Sequence, residues 1–196
     1  MKLLTPAFGL VILAALSGLA IVPSRIALAE DVRTVKVDED KLSLEVPNSW
    51  KDQPVATRMR LKQFEIPKAE GDEDVGELAI FPPFGGSRED NIKRWVNQFE
   101  SQGRTMKTTE GKTEKAAYVL VDLSGTYKKP IGPPMAQQTK SVEGYRMLAV
   151  IYSPTAGGNY FFKLTGPEKT VTAAAEKFRA SFGTKAENEK EWKLAE

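Results

Sequence analysis

Two groups of charged residues are the part of this sequence that could carry out chemistry. Asp122 interrupts the apolar run AAYVLVDLSGTY at residues 116–127, where burial would raise the pKa of a carboxyl group and suit it to acid or base catalysis. Residues 57–66, TRMRLKQFEI, alternate so that Arg58, Arg60 and Lys62 would share one side of a strand. A hydrolase or lyase with a site near Asp122 and Arg60 is therefore one hypothesis.

Both groups also have a purely structural interpretation. A single carboxylate without a positioned partner defines no mechanism, and Asp122 could instead pair with Arg60 or Arg146 or accept hydrogen bonds from backbone amides. The basic strand could receive an anionic ligand, or it could be a solvated face that pairs with neighbouring carboxylates. The sequence favours the structural interpretation of both groups.

The chain contains no histidine and no cysteine. These absences exclude Cys and His nucleophiles, catalytic dyads or triads with a His base, zinc sites of the Cys/His type and c-type haem attachment. The acidic run EGDED at residues 70–74 lacks the twelve-residue spacing of a calcium loop, so it is predicted to be an exposed turn. We therefore predict no catalytic residue, no metal and no cofactor.

One long irregular segment, KKPIGPPMAQQTKSVEG, is predicted at residues 128–144 between two strands. Connections of this length are usually functional loops or disordered ones, and this one combines lysines and prolines with an apolar methionine. A partner-binding flap and plain flexibility both stay open. If the segment binds a partner, the predicted contact residues are Tyr127, Lys128, Lys129, Met135 and Tyr145.

The first residues of the chain indicate an exported protein. Residues 3–22 form an apolar run behind Lys2, and the sequence ALA at residues 27–29 fits a cleavage site. We predict a signal peptide at residues 1–29 and a periplasmic or extracellular location. The alternative is an uncleaved membrane anchor, because an apolar run of this length can also span a bilayer.

The predicted signal peptide accounts for the basic charge of the sequence. The chain has 28 Lys and Arg against 26 Asp and Glu, and residues 1–29 contain two of the bases and no acid. Removing them leaves 26 bases and 26 acids. Nucleic acid is then not an expected partner, since phosphate binding depends on a basic excess.

Alternating apolar residues and turn signals predict several strands. A first hairpin is expected at residues 34–37 and 42–46 around the turn DED, and its end is closed by PNSW, with Trp50 covering an edge of the core. Further strands are expected at residues 76–81, 105–109 and 116–127. The runs YRMLAVIY and YFFKLT form a second hairpin around SPTAGGN.

Two helices are predicted from apolar periodicity. The first begins at Ser87 as its cap and stops at Gly103; its core face consists of Ile92, Trp95, Val96 and Phe99. The second begins at Thr165 and Glu168 as a capping box, and its core face consists of Val171, Ala174, Ala175, Phe178 and Phe182. We predict that these faces cover opposite sides of one sheet.

The predicted fold is a single α+β domain at residues 30–183, in which an antiparallel sheet carries a helix on each face. Residues 184–196 form a charged C-terminal tail, which Trp192 could attach to the domain.

The order of elements resembles the PsbP-like family, together with VPNSW after the second strand and SREDNIKRWVNQF in the first helix. That family has an α/β/α sandwich that is shared with the yeast Ran-binding release factor. The segments DLSGTY, YRMLAVIY and YFFKLTGPEKTV are similar to uncharacterised secreted proteins of planctomycete bacteria. The resemblance covers residues 34–182, and it implies the same sandwich and a non-enzymatic accessory or binding role.

PsbP itself assists a manganese-calcium cluster with histidines among its groups, and the lack of histidine here means that this role does not carry over. The leading hypothesis is an exported, non-catalytic binding or accessory protein whose partner is an unknown protein or a small ligand.

Overall fold

The structure is a computed structural model that describes residues 30–55, 57–132 and 138–193. The predicted signal peptide and Met135 lie outside the described residues. Within those ranges the elements are β1 Val32–Val37, β2 Leu42–Pro47, β3 Lys51–Asp52, β4 Lys62–Ile66, β5 Gly76–Phe81, α1 Arg88–Val96, β6 Thr105–Lys112, β7 Ala116–Pro130, β8 Thr139–Pro154, β9 Tyr160–Pro167, α2 Glu168–Ser181, a 3₁₀ turn Ala186–Asn188, and β10 Lys190–Glu191.

Eight of the described strands form one antiparallel sheet in the order β10-β6-β7-β8-β9-β5-β4-β3. The long strands β7 and β8 lie near its centre, and their apolar residues point to both faces, as expected for a sheet covered on both sides. β1 and β2 form a separate antiparallel hairpin.

One face of the sheet is covered by α2 together with β1 and β2. Phe178 of α2 is fully buried, and Phe182, just after the helix, packs edge-on against Tyr118 and Phe178. Trp50 is buried in the same cluster, which confirms its predicted structural role. We call this side the α2 face.

The opposite face is covered by α1, and we call it the α1 face. Ile92 and Trp95 of the helix pack with Phe99 on the apolar residues of β7, β8 and β9. The two predicted helical faces therefore bury opposite sides of one sheet, as the sequence indicates.

The start of α1 matches its predicted cap, but the helix is shorter than predicted. The Ser87 side chain accepts a hydrogen bond from the Asp90 amide at 3.0 Å, and the Asp90 side chain completes a capping box. The helix ends at Val96, well before Gly103. Phe99 is buried all the same, because its backbone pairs with Tyr127 of β7 in an isolated bridge.

The predicted capping box of the second helix is wrong. Thr165 lies within β9, and Pro167 at the cap position provides no side-chain hydrogen bond. Asp72 instead accepts hydrogen bonds from the Thr170 amide at 2.9 Å and from its hydroxyl at 2.6 Å. The acidic turn therefore supplies the carboxylate that a helix N-terminus favours.

The predicted irregular segment at residues 128–144 is mostly a β-ladder. β7 continues to Pro130 and β8 begins at Thr139, so that Lys128 pairs with Ser141 and Lys129 with Lys140. Between Tyr145 and Val142, β8 advances three residues while β7 advances two, which is a β-bulge with Gly144 at φ 66°. Residues 133–137 lie outside the described residues.

The described part of the predicted C-terminal tail lies on the domain. β10 pairs with β6 and forms one edge of the sheet, and Trp192 packs against the apolar cluster of the α1 face. The Arg179 guanidinium donates to the Glu189 carboxylate at 2.6 Å, and both side chains are at least 90% buried.

The architecture predicts a matched pair of large losses in stability. Phe99→Ala and Phe178→Ala each remove a ring that is at most 1% exposed from one of the two faces, so each should lower the free energy of unfolding by about 3 to 5 kcal/mol. Met106→Ala is the control, because Met106 is 46% exposed. Urea unfolding measures all three, and a wild-type value for either phenylalanine variant would contradict the two-sided sheet.

Candidate functional site

Asp122 and Arg60 do not form a common site. Asp122 accepts two hydrogen bonds from Arg146, at 2.9 Å from Nε and 2.7 Å from the terminal nitrogen, and Arg146 also donates to Thr172 of α2. This pair lies on the α2 face. Arg60 donates to Glu77 at 3.0 Å on the α1 face. The Asp122 carboxylate is thus paired with Arg146 on the opposite side of the sheet from Arg60.

The predicted basic face of Arg58, Arg60 and Lys62 is also wrong. The Arg60 amide bonds back to the Thr57 carbonyl in a turn, and β4 begins only at Lys62. Lys62 reaches Asp52 at 2.5 Å and lies over Phe64 on the α2 face, whereas Arg60 lies over Phe81 on the α1 face. The turn breaks the alternation on which the prediction depended.

The five predicted contact residues are divided by the structure. Tyr127 and Tyr145 stack in parallel with ring centres 5.6 Å apart, and Lys129 lies over the Tyr145 ring at 5.7 Å. Lys128 points away to the Asn97 carbonyl and Glu100. Met135 falls outside the described residues, so three of the five lie together.

Asp74 of the acidic run joins this group. It accepts hydrogen bonds from Lys129 at 2.7 Å and from the Tyr145 hydroxyl at 2.6 Å, and these bonds hold the pKa of Asp74 below its usual value. Burial raises the pKa of Tyr127 to about 12. Within the acidic run, Asp72 is bound by Thr170, whereas Asp74 is bound by Lys129 and Tyr145. Across the described ranges, no three His, Cys, Asp or Glu side chains gather closely enough to hold a metal ion.

A cavity of about 380 Å³ opens on the α1 face between α1, the strands β5 and β9 and the end of the β7–β8 hairpin. Its floor is aromatic: Phe84 stacks on Phe161 with ring centres 4.2 Å apart, and Trp95 meets Phe161 edge-on. Met59 and Ile131 form its rim and are 63% and 44% exposed. We call this the aromatic cavity.

Three cationic side chains line the aromatic cavity. Arg94 lies over the Phe84 ring at 5.4 Å and donates to Asn91 at 3.2 Å, while Arg60 is already bound to Gln63 and Glu77. Lys163 donates to the Gln98 carbonyl oxygen at 3.2 Å. Among the described residues, no carboxylate lies within ion-pair distance of Arg94 or Lys163.

Lys163 stands where the neighbouring strands carry only small side chains. Ala149 of β8 and Ala79 of β5 are its direct partners across the ladder, and both are fully buried. The space that larger residues would fill is therefore left around the lysine. Burial lowers the pKa of Lys163 to about 8; Glu77 opposes this effect and Arg60 adds to it.

A second compartment of about 260 Å³ adjoins the aromatic cavity, and Arg60, Pro130 and Lys163 line both spaces. Tyr127, Lys129 and Tyr145 also line it, so the three predicted residues that lie together face this compartment. Thr165 borders it as well: its hydroxyl is buried and has no hydrogen-bond partner among the described residues.

A wider depression of about 720 Å³ beside β10 is a poorer candidate for a binding site. Its buried charges, Arg179 and Glu189, satisfy each other, and Glu189 also accepts from Thr109 at 2.9 Å. The aromatic cavity instead combines an apolar floor with cationic groups that have no carboxylate partner, which is the usual composition of a ligand site.

Sequence reasoning missed Phe84, Arg94 and Lys163. The first two lie on a turn and on the exposed side of a short helix, where nothing in the local pattern distinguishes them. Lys163 did leave a signal, because it is the one charge within the apolar run YFFKLT. Asp122 is likewise a charged residue within an apolar run.

Comparison with known proteins leaves the family open. No family model matches the chain, and no curated protein matches it. Among solved structures it is similar to the solution structure of cyanobacterial PsbP (CyanoP) from Synechocystis sp. PCC 6803, with 16% sequence identity and a TM-score of 0.47. The match covers 86% of this chain and 96% of that one. In the described ranges, neither helix has the length and apolar character needed to cross a bilayer.

The lowered pKa of Lys163 predicts a pH-dependent stability. The folded protein loses this proton near pH 8 and the unfolded chain near pH 10.5, so the unfolded state binds more protons in between and stability rises with pH. Relative to Lys163→Met, the wild type should gain about 1 to 2 kcal/mol of unfolding free energy from pH 7.5 to 9.5. Urea unfolding at several pH values measures this difference, and parallel curves for the two proteins would refute the lowered pKa of Lys163.

Proposed function

We propose that the chain is an exported, non-catalytic binding protein whose aromatic cavity takes a small ligand with a flat apolar body and an anionic group. The observation that carries the proposal is the pairing of the Phe84–Phe161 floor with Arg94 and Lys163, two cations that have no carboxylate partner among the described residues. Export is supported by the signal-peptide pattern of residues 1–29 alone.

The apolar body would lie against the aromatic floor. Phe84 is half-buried, with Phe161 stacked on its ring at 4.2 Å and the Arg94 guanidinium over the ring at 5.4 Å, so a flat ligand would contact the exposed part of the ring beside Arg94. The anionic group would then meet Arg94, whose guanidinium has one acceptor among the described residues, the Asn91 side chain. Charge-assisted hydrogen bonds of this kind contribute about 1.5 to 3 kcal/mol each.

The segment at residues 128–144, for which the sequence leaves a partner-binding flap and plain flexibility open, borders the same cavity with its described residues. Pro130, Ile131 and Gln138 form one wall, and Ile131 is an exposed apolar residue. A ligand in the cavity would cover Ile131 and Met59, which are otherwise in water.

The hydrolase or lyase alternative is not proposed. It needs Asp122 and Arg60 at a common site, and these residues lie on opposite faces of the sheet with other partners. The cavity offers cations and an aromatic floor, and Glu77, the carboxylate beside Lys163, is held by Arg60 and Gln63.

The proposal predicts binding of an aromatic carboxylate such as 2-naphthoate, measured by isothermal titration calorimetry. Arg94→Ala should weaken binding about tenfold, because an ionic hydrogen bond is lost. Phe84→Ala should weaken it by a similar factor through the lost stacking.

Arg88→Ala is the matched control, since it removes the same charge from an exposed position on the same helix and should leave the affinity unchanged. The neutral analogue 2-naphthylmethanol should bind the wild type more weakly than 2-naphthoate does. The two compounds should bind Arg94→Ala with equal affinity. Equal loss of naphthoate binding in Arg88→Ala and Arg94→Ala would mean that only net charge matters, and the proposed site would be wrong.

A further inference from the structure

The position and hydrogen bonding of the Lys163 amine suit a covalent bond to a ligand as well as non-covalent contact. Its amine lies where the aromatic cavity meets the second compartment, and its hydrogen bond to Gln98 occupies a single N–H. No carboxylate within the described ranges pairs with it. An amine so placed can present a lone pair to a bound molecule instead of being held as an ammonium ion in a salt bridge.

We propose that the Nζ amine of Lys163 condenses reversibly with an aldehyde or ketone that carries an anionic group, and so holds its ligand as an imine. The inference rests on the proposed function, because it names the chemical class of ligand that the same cavity would retain.

The condensation is balanced without any other reactant. The Nζ lone pair adds to the carbonyl carbon, and a proton passes from nitrogen to the former carbonyl oxygen to give a carbinolamine. The nitrogen lone pair then expels this hydroxyl, which takes the remaining N–H proton and leaves as water, and a C=N bond replaces the C=O bond. One water molecule is released, and no electrons are transferred to or from the pair.

The protonation state of the amine agrees with this chemistry. Burial lowers the pKa of Lys163 to about 8, so near pH 8 about half of its amines are neutral. An exposed lysine with an ordinary pKa has about a hundredfold smaller neutral fraction at the same pH. A desolvated lysine beside another cation, here Arg60, is a recognised arrangement for an amine nucleophile.

The neighbours of Lys163 fit a carbonyl compound that carries an anionic group. Ala79 and Ala149 flank the lysine and leave room for the new C=N bond. Arg94 lines the same cavity over Phe84, so it can receive the anionic group while the aromatic floor contacts the rest of the molecule. Retention would be stoichiometric, because Glu77, the carboxylate beside Lys163 in the described part of the chain, is bound by Arg60 and Gln63.

The test uses pyridoxal 5′-phosphate, an aldehyde with a flat ring and a phosphate, at one equivalent and pH 8. Imine formation is followed by visible absorption, and borohydride reduction fixes the adduct for peptide mass spectrometry. We expect the adduct on Lys163, at least about tenfold above any exposed lysine, because of its larger neutral fraction. Adducts spread over exposed lysines such as Lys36, whose side chain is 61% exposed, would overturn the proposal.

Two variants and a second probe sharpen the result. Lys163→Arg keeps a cation but cannot form the imine, so it should lose the absorption while retaining a wild-type circular dichroism spectrum; Lys36→Arg should behave as wild type. 5′-Deoxypyridoxal, which lacks the phosphate and has no hydroxyl that could close onto the aldehyde, should label Lys163 less than the phosphorylated probe, and Arg94→Ala should remove that difference. Equal labelling by both probes in the wild type would refute the requirement for an anionic group.

The outcome separates this inference from the proposed function. If 2-naphthoate binds the wild type and Lys163 gives no imine, the binding site stands and the covalent step is wrong. If naphthoate fails to bind as well, the proposed function itself is wrong. Selective labelling of Lys163 without naphthoate binding would support the reactive amine and refute the aromatic-anion site.

Discussion

The structure depends on the unequal cover of the two faces of one sheet. Eight strands at about 4.8 Å spacing are some 34 Å wide, and a helix with its side chains covers only about 10 Å of that width. On one face α2 and the β1–β2 hairpin share the task. On the other, α1 and Trp192 cover part of the sheet, and the aromatic cavity opens over β5 and β9 beside the helix.

The open part of the α1 face is where the core changes from apolar to polar. Phe161 of β9 still belongs to the core, but two residues further along the same face Lys163 replaces an apolar side chain, and Glu77 of β5 lies beside it. Burying such groups costs free energy unless they find partners, and Glu77 does find them in Arg60 and Gln63. Among the described residues Lys163 has one hydrogen-bond partner, the Gln98 side-chain oxygen, so its amine is poorly compensated at the cavity.

The sequence predicted the core well and the cavity poorly, for one physical reason. Periodicity is local, so the buried faces containing Phe99 and Phe178 could be found from their spacing alone. The cavity depends on strand register, which places Ala79 and Ala149 beside Lys163, and on a turn at Thr57 that no alternation pattern reveals. The capping of α2 by Asp72 was missed for the same cause, because the acceptor lies 98 residues away from Thr170.

In our account the aromatic cavity on the α1 face is the binding surface of the protein. Amide chemical shifts recorded by NMR during titration with 2-naphthoate test it directly, because they report the location of binding rather than its strength. We predict that the largest changes fall on Phe84, Arg94, Gln98, Ile131 and Lys163, with little change in α2 or the β1–β2 hairpin. Changes centred on α2 and that hairpin would contradict the account.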